Sequence, residues 1–155
     1  MTIVILRRII YNHSMNILTK DPTTTGVLDP SSVYEVIRLS GGKPQFLDEH
    51  YERLRNSLRS IGRKVPFGCD ELAGAISKLA ENGNIRDHNV RLEVDGKGNT
   101  TLFPSPTHYP TSGQYERGVD VGLFMGERKN PHLKRLDHTL RSATDDAIRD
   151  RKSVV

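Results

Sequence analysis

The sequence lacks tryptophan, has a single cysteine and is only 6% aromatic. One cysteine, Cys69, excludes an intramolecular disulfide and any Cys-rich zinc pattern. No apolar run is long enough to span a bilayer. The opening MTIVILRRII is apolar, but two arginines split it and no small-residue cleavage site follows. It reads as a strand and not as a secretory signal. These features predict a protein of the reducing cytoplasm, with no membrane partner. The net charge of +4 raises the question of nucleic acid. The charges are mixed, as in DEHYERLR and ERKNPHLKR, and no basic tract carries interleaved aromatics, so the surface reads as solvated and nucleic acid is excluded. A basic excess still favours small anions.

Chemical motifs are also scarce. There is no Walker loop, no GxGxxG after a strand, no HExxH and no nucleophile elbow. Gly96-Lys97-Gly98 falls in a hairpin turn and not before a helix. Of the six histidines, no two stand at i,i+4, so no metal site is expected.

What is present is a pattern of elements. Thr2 to Tyr11 is rich in Ile and reads as a strand; TKDPTTTGVLDPSS is a turn-rich loop. SVYEVIRLSGGKPQFL reads as two strands joined by a Gly-Gly turn. Leu47, Tyr51, Leu54, Leu58 and Ile61 recur at alternating spacings of four and three, which is one apolar stripe of a helix over Asp48–Ile61. Asp48 is its expected N-cap and Gly62 its stop. A second helix is predicted from about Asp70 to Asn82, ended by Gly83. NVRLEV-DGKG-NTTLF is a hairpin with Asp95-Gly96 in the turn, and GVDVGLFMG reads as a further strand. Asn130-Pro131 leads into a charged helix, roughly Leu133 to Lys152.

The order predicts an α+β fold: a small antiparallel sheet with two helices, followed by the first helix of an incomplete second domain. The boundary divides an N-terminal domain, residues 1–126, from the start of a second, residues 127–155. The last helix has few large apolar residues (Leu133, Leu136, Leu140, Ile148) and needs partners to be stable.

Tyr34-Glu35 in SVYEVIRL, the GGKP turn, Arg53 in EHYERL and Lys134 in ERKNPHLKRLDHT matter as a set. Their order and spacing resemble the N-terminal half of the class IV aminotransferases, the fold-type IV family that includes branched-chain and D-amino-acid aminotransferases and aminodeoxychorismate lyase. The resemblance runs from about Gly26 to Val155 and is strongest over Val33–Leu58. It implies pyridoxal 5'-phosphate as cofactor, Arg53 on the cofactor phosphate and Lys134 as the catalytic lysine that carries the cofactor. It further implies amino acid and 2-oxo acid substrates, and a homodimer when the fold is complete. Lys129 competes with Lys134 for the catalytic role. The physics agrees: Arg53 offers a rigid fork of donors suited to a phosphate, and a lysine amine attacks an aldehyde. The bland alternative for Arg53 is an i,i+4 pair with Glu49, worth a few tenths of a kcal/mol.

Tyr34 is the candidate for presenting a hydroxyl to the substrate carboxylate. Arg91 is the candidate second carboxylate ligand, because it alternates with Val90 and Leu92 and so should face away from them. The family's second domain, which supplies the carboxylate for the pyridine nitrogen, has no counterpart after Lys134. The expectation is therefore an N-terminal part of an aminotransferase, inactive as a 155-residue chain. The alternatives are a lyase-like eliminase using the same lysine and a non-catalytic truncated remnant.

Overall fold

The computed structural model describes residues 9–10, 15–17, 31–107, 109–121, 123–127, 130–135 and 139–149. Among the described residues six strands form one sheet: β1 (Ile9–Ile10), β2 (Met15–Ile17), β3 (Val33–Ser40), β4 (Lys43–Pro44), β5 (Asn89–Val94) and β6 (Thr100–Ser105). Their spatial order is β1-β2-β6-β5-β3-β4, antiparallel throughout except for the β2–β6 pair. The described residues also hold four helices: α1 (Leu47–Ser60), α2 (Cys69–Gly83), α3 (Ser112–Arg117) and α4 (Thr139–Arg149). The α+β class predicted from the element order is what is seen. Among the described residues, no helix is long and apolar enough to cross a membrane.

The chain divides into two compact units. The first comprises Met1–Thr107 with His132–Leu136 and holds the core. Strand alternation builds one wall of that core: Val33, Ile37 and Leu39 of β3, Val90, Leu92 and Val94 of β5, and Leu102 of β6 are fully buried. The apolar stripe of α1 supplies Leu54 and Leu58, and α2 supplies Leu72, Ile76 and Leu79. Each such side chain contributes about 1.5–3 kcal/mol of burial, which holds both helices against the sheet.

The hairpins fall where the turn residues put them. Gly41 and Gly42, with φ 57 and 82, join β3 to β4, and Asp95 Oδ1 accepts the backbone N–H groups of Lys97 and Asn99 in the β5–β6 turn. The start of α1 differs from expectation. The N-cap is Phe46 in the left-handed region (φ 52), and Asp48 lies inside the first turn, where it and Glu49 face the positive end of the helix. The rest of the first predicted strand, apart from Ile9–Ile10, lies outside the described residues.

Two expectations about the later chain are corrected. Helix α4 begins at Thr139 and not at Leu133. Instead, Leu133 is buried in the core of the first unit, the Tyr34 N–H donates to the Lys134 carbonyl at 3.0 Å, and Arg135 pairs with Val33 as an antiparallel bridge. The open edge of β3 takes up backbone groups that a helix would otherwise satisfy, and burial of Leu133 adds to it. GVDVGLFMG forms no strand in its described residues; Val121, Leu123 and Met125 are 83%, 88% and 95% exposed. A strand needs a neighbour to accept its backbone bonds, and none is at hand among those residues.

The second unit, His108–Pro131 with Asp137–Val155, holds α3 and α4, neither of which buries a residue. Helix α3 starts at a reciprocal cap: Thr111 accepts from the Gln114 N–H, and the Gln114 side chain accepts from the Thr111 N–H.

Candidate functional site

In β3 the row of residues facing the helices reads Val33, Glu35, Ile37, Leu39. Glu35 is thus a carboxylate in an apolar row, 1% exposed. A charge cannot stay there without partners. Arg53, on α1, donates from Nε to Glu35 Oε1 at 2.7 Å and from Nη2 to Oε2 at 2.5 Å, a two-point grip. His50 Nδ1 lies one helical turn earlier, 2.9 Å from Oε2, and Lys134 Nζ is 3.6 Å from the same oxygen. Burial pushes the Glu35 carboxyl up, but the hydrogen bonds from Arg53 and His50 and the charges of Lys134 and Arg53 overcome it. The net result lies below the ordinary carboxylate value. Arg53 is shifted upward in turn, chiefly by its hydrogen bonds to Glu35.

Tyr34 faces the opposite side of the sheet from Glu35. Its ring carries two cations: the Arg91 guanidinium carbon lies 4.5 Å from the ring centroid and Lys134 Nζ 5.3 Å. Lys134, on the strand edge beside β3, therefore contacts both the buried carboxylate and the tyrosine ring. Arg91 alternates with buried Val90 and Leu92, as its position in the strand requires, and its Nε is 2.7 Å from Glu93 Oε1. Of the other candidate residues, Lys129 lies outside the described residues, and Glu49 is not the partner that Arg53 takes.

The fold thus brings Lys134, Arg53, Tyr34 and Arg91 into one connected cluster, drawn from an edge segment, a helix and two strands. Glu35 and His50 carry no expected role from the sequence. The signals were there: Glu35 stands in phase with Val33, Ile37 and Leu39, and His50 and Arg53 stand at i,i+3 beside the stripe of α1. Among the described residues no group of His, Cys, Asp and Glu could hold a metal ion.

The family model for amino-transferase class IV matches residues 32–150, a span that contains this entire cluster. The chain belongs to that family. Class IV relatives agree. A D-alanine aminotransferase of Listeria monocytogenes is 34% identical over 96 residues, covering 61% of this chain and 33% of the relative. A protein of Rickettsia typhi assigned as a branched-chain-amino-acid aminotransferase is 42% identical over 60 residues, covering 39% of this chain and 21% of that one. A solved structure assigned as a 4-amino-4-deoxychorismate lyase superposes with a TM-score of 0.60 at 26% identity, over 80% of this chain and 51% of that one. This class IV chain spans about a third of the length of the D-alanine aminotransferase that it matches.

Proposed function

We propose that the chain is the N-terminal part of a pyridoxal-phosphate-dependent aminotransferase, which moves an amino group between an amino acid and a 2-oxo acid. The division at residue 126, with a cofactor domain beginning at 127, is part of this proposal, as are cytoplasmic location and a homodimer in the complete protein. The observation that carries it is the convergence of Lys134 and Arg53, distant in sequence, on the buried carboxylate of Glu35.

The donor set fits the cofactor. Lys134 offers a primary amine for an aldehyde, and Arg53 offers a guanidinium that is 49% exposed and so open to a phosphate while two of its nitrogens bind Glu35. Pyridoxal phosphate supplies the aldehyde and an aromatic ring that draws electrons from the substrate α-carbon. The protein does the positioning. Glu35 locks the Arg53 fork, so the N–H groups of the remaining nitrogen, Nη1, are held in a fixed direction without further loss of side-chain freedom. Lys134 Nζ, held between Glu35 and the Tyr34 ring, is the group that moves the proton at the substrate α-carbon. Tyr34 and Arg91 line the substrate side. A second reading, elimination by the same lysine, is favoured by the likeness to the lyase structure. Screening amino acids against aminodeoxychorismate separates the two, and a non-catalytic remnant turns over neither.

The test is covalent trapping. In a protein joining this chain to the rest of the family fold, borohydride reduction after incubation with pyridoxal phosphate places the phosphopyridoxyl group on Lys134, and Arg53→Ala weakens cofactor binding. Recovery of the label on Lys129 or elsewhere refutes the assignment. The 155-residue chain run alongside is expected to show no turnover.

A further inference from the structure

Resting on the reading of Arg91 as a substrate-facing cation, one neighbour of that residue changes what it can bind. Glu93 stands two positions along β5, on the same face, directly opposite Tyr34 in the strand register. Its carboxylate meets Arg91 at 2.7 Å, with the two side chains only 16% and 19% exposed. Nε and Nη2 of Arg91 and Oε1 of Glu93 are shut off from solvent. The approach is close but not in line: the Nε–H does not point along the direction to the oxygen, so charge and not a directed hydrogen bond holds this contact.

We propose that Glu93 determines specificity by acting as an internal counter-ion, one that a carboxylate must displace to reach Nε and Nη2 of Arg91. Two features of the geometry lead there. Because the donors Nε and Nη2 are enclosed, an incoming carboxylate cannot add beside Glu93 at these nitrogens; it has to replace it. Because the Arg91–Glu93 contact is poorly aligned, a ligand carboxylate that meets the planar fork in line makes the better bond once Glu93 is gone. With Glu93 in place the pair is neutral, and Arg91 adds little to the attraction that Lys134 offers an anion beside Tyr34. The substrate class this favours at Arg91 is one with an uncharged group there; a carboxylate at that position is disfavoured.

The probe is succinate, titrated into the isotope-labelled 155-residue chain while the Arg91 side-chain Nε–Hε resonance is followed by NMR. Glu93→Gln changes the volume little and removes the charge that holds this side chain on Arg91, so a carboxylate displaces it more readily. The variant is expected to bind succinate at least about tenfold more tightly than the wild-type chain, with the shift at Arg91, the scale of one charge-assisted hydrogen bond gained. The double variant Arg91→Met/Glu93→Gln is expected to lose that binding. Glu93→Thr, a strand-favouring residue without charge, carries the same expectation and replaces Glu93→Gln if the amide variant does not fold. Equal affinity in wild type and variant, binding in neither, or binding that survives loss of Arg91 overturns the proposal. The borohydride experiment on Lys134 is independent of these outcomes. A failure there removes the aminotransferase reading and leaves the competition between Glu93 and a carboxylate standing.

Discussion

Replacing Glu35 by glutamine removes one charge from the centre of the cluster with almost no change in volume. In the folded chain this carboxylate is 1% exposed and meets Arg53 twice, His50 once and Lys134 at 3.6 Å. Breaking a buried pair so that the survivor stays buried costs about 3–5 kcal/mol. Here the survivors reach water: Arg53 is 49% exposed and Lys134 25%, so part of the lost interaction is recovered as hydration. The glutamine carbonyl also keeps one acceptor for Arg53. The expected loss is therefore about 2–3 kcal/mol near neutral pH, roughly 10 °C in Tm for a unit of this size. The pH dependence fixes the cause. The Glu35 carboxyl lies below its ordinary value in the folded chain, so its contribution is complete above the ordinary, unfolded value and is lost as the pH falls through the folded one. Urea unfolding of wild type and Glu35→Gln at a series of pH values is the assay. Wild type is expected to lose stability on acidification more steeply than the variant, and the two curves to meet in acid. Equal stabilities at neutral pH, or a gap that persists in acid, would refute the view that this charge is stabilised by its neighbours.

Other consequences concern stability. Phe46 holds a left-handed backbone (φ 52) with its ring 72% exposed, so Phe46→Gly gives up little burial and is expected to stabilise the chain by about 1 kcal/mol, read as a raised urea midpoint; a lowered midpoint contradicts this. The hydroxyls of Ser57 and Thr100 are buried and meet no hydrogen-bond partner among the described residues. Ser57→Ala and Thr100→Val are each expected to raise stability by roughly 1 kcal/mol in the same assay, and a loss in both means that the hydroxyls are satisfied in solution.

Local signals in the sequence determined a good deal. The four-three stripe from Leu47 to Ile61 specified α1 because helical periodicity is a property of a short stretch and needs no knowledge of its neighbours. The same holds for the Asp95-Gly96 hairpin and for Arg91 facing away from Val90 and Leu92. Arg53 and Lys134 were legible only through their resemblance to a family pattern, since a lone arginine or lysine carries no local mark of its function. The tertiary structure decided the rest. That Arg53 turns to Glu35 and not to Glu49 depends on α1 lying across β3, a contact between distant residues. That Lys134 sits on a strand edge and not in a helix depends on the vacant backbone groups of β3 at Val33 and Tyr34, which no pattern within residues 130–135 reveals. The segment GVDVGLFMG shows the converse limit: its β-rich composition was plain, but a strand exists only where another strand takes its hydrogen bonds, and composition does not supply the neighbour.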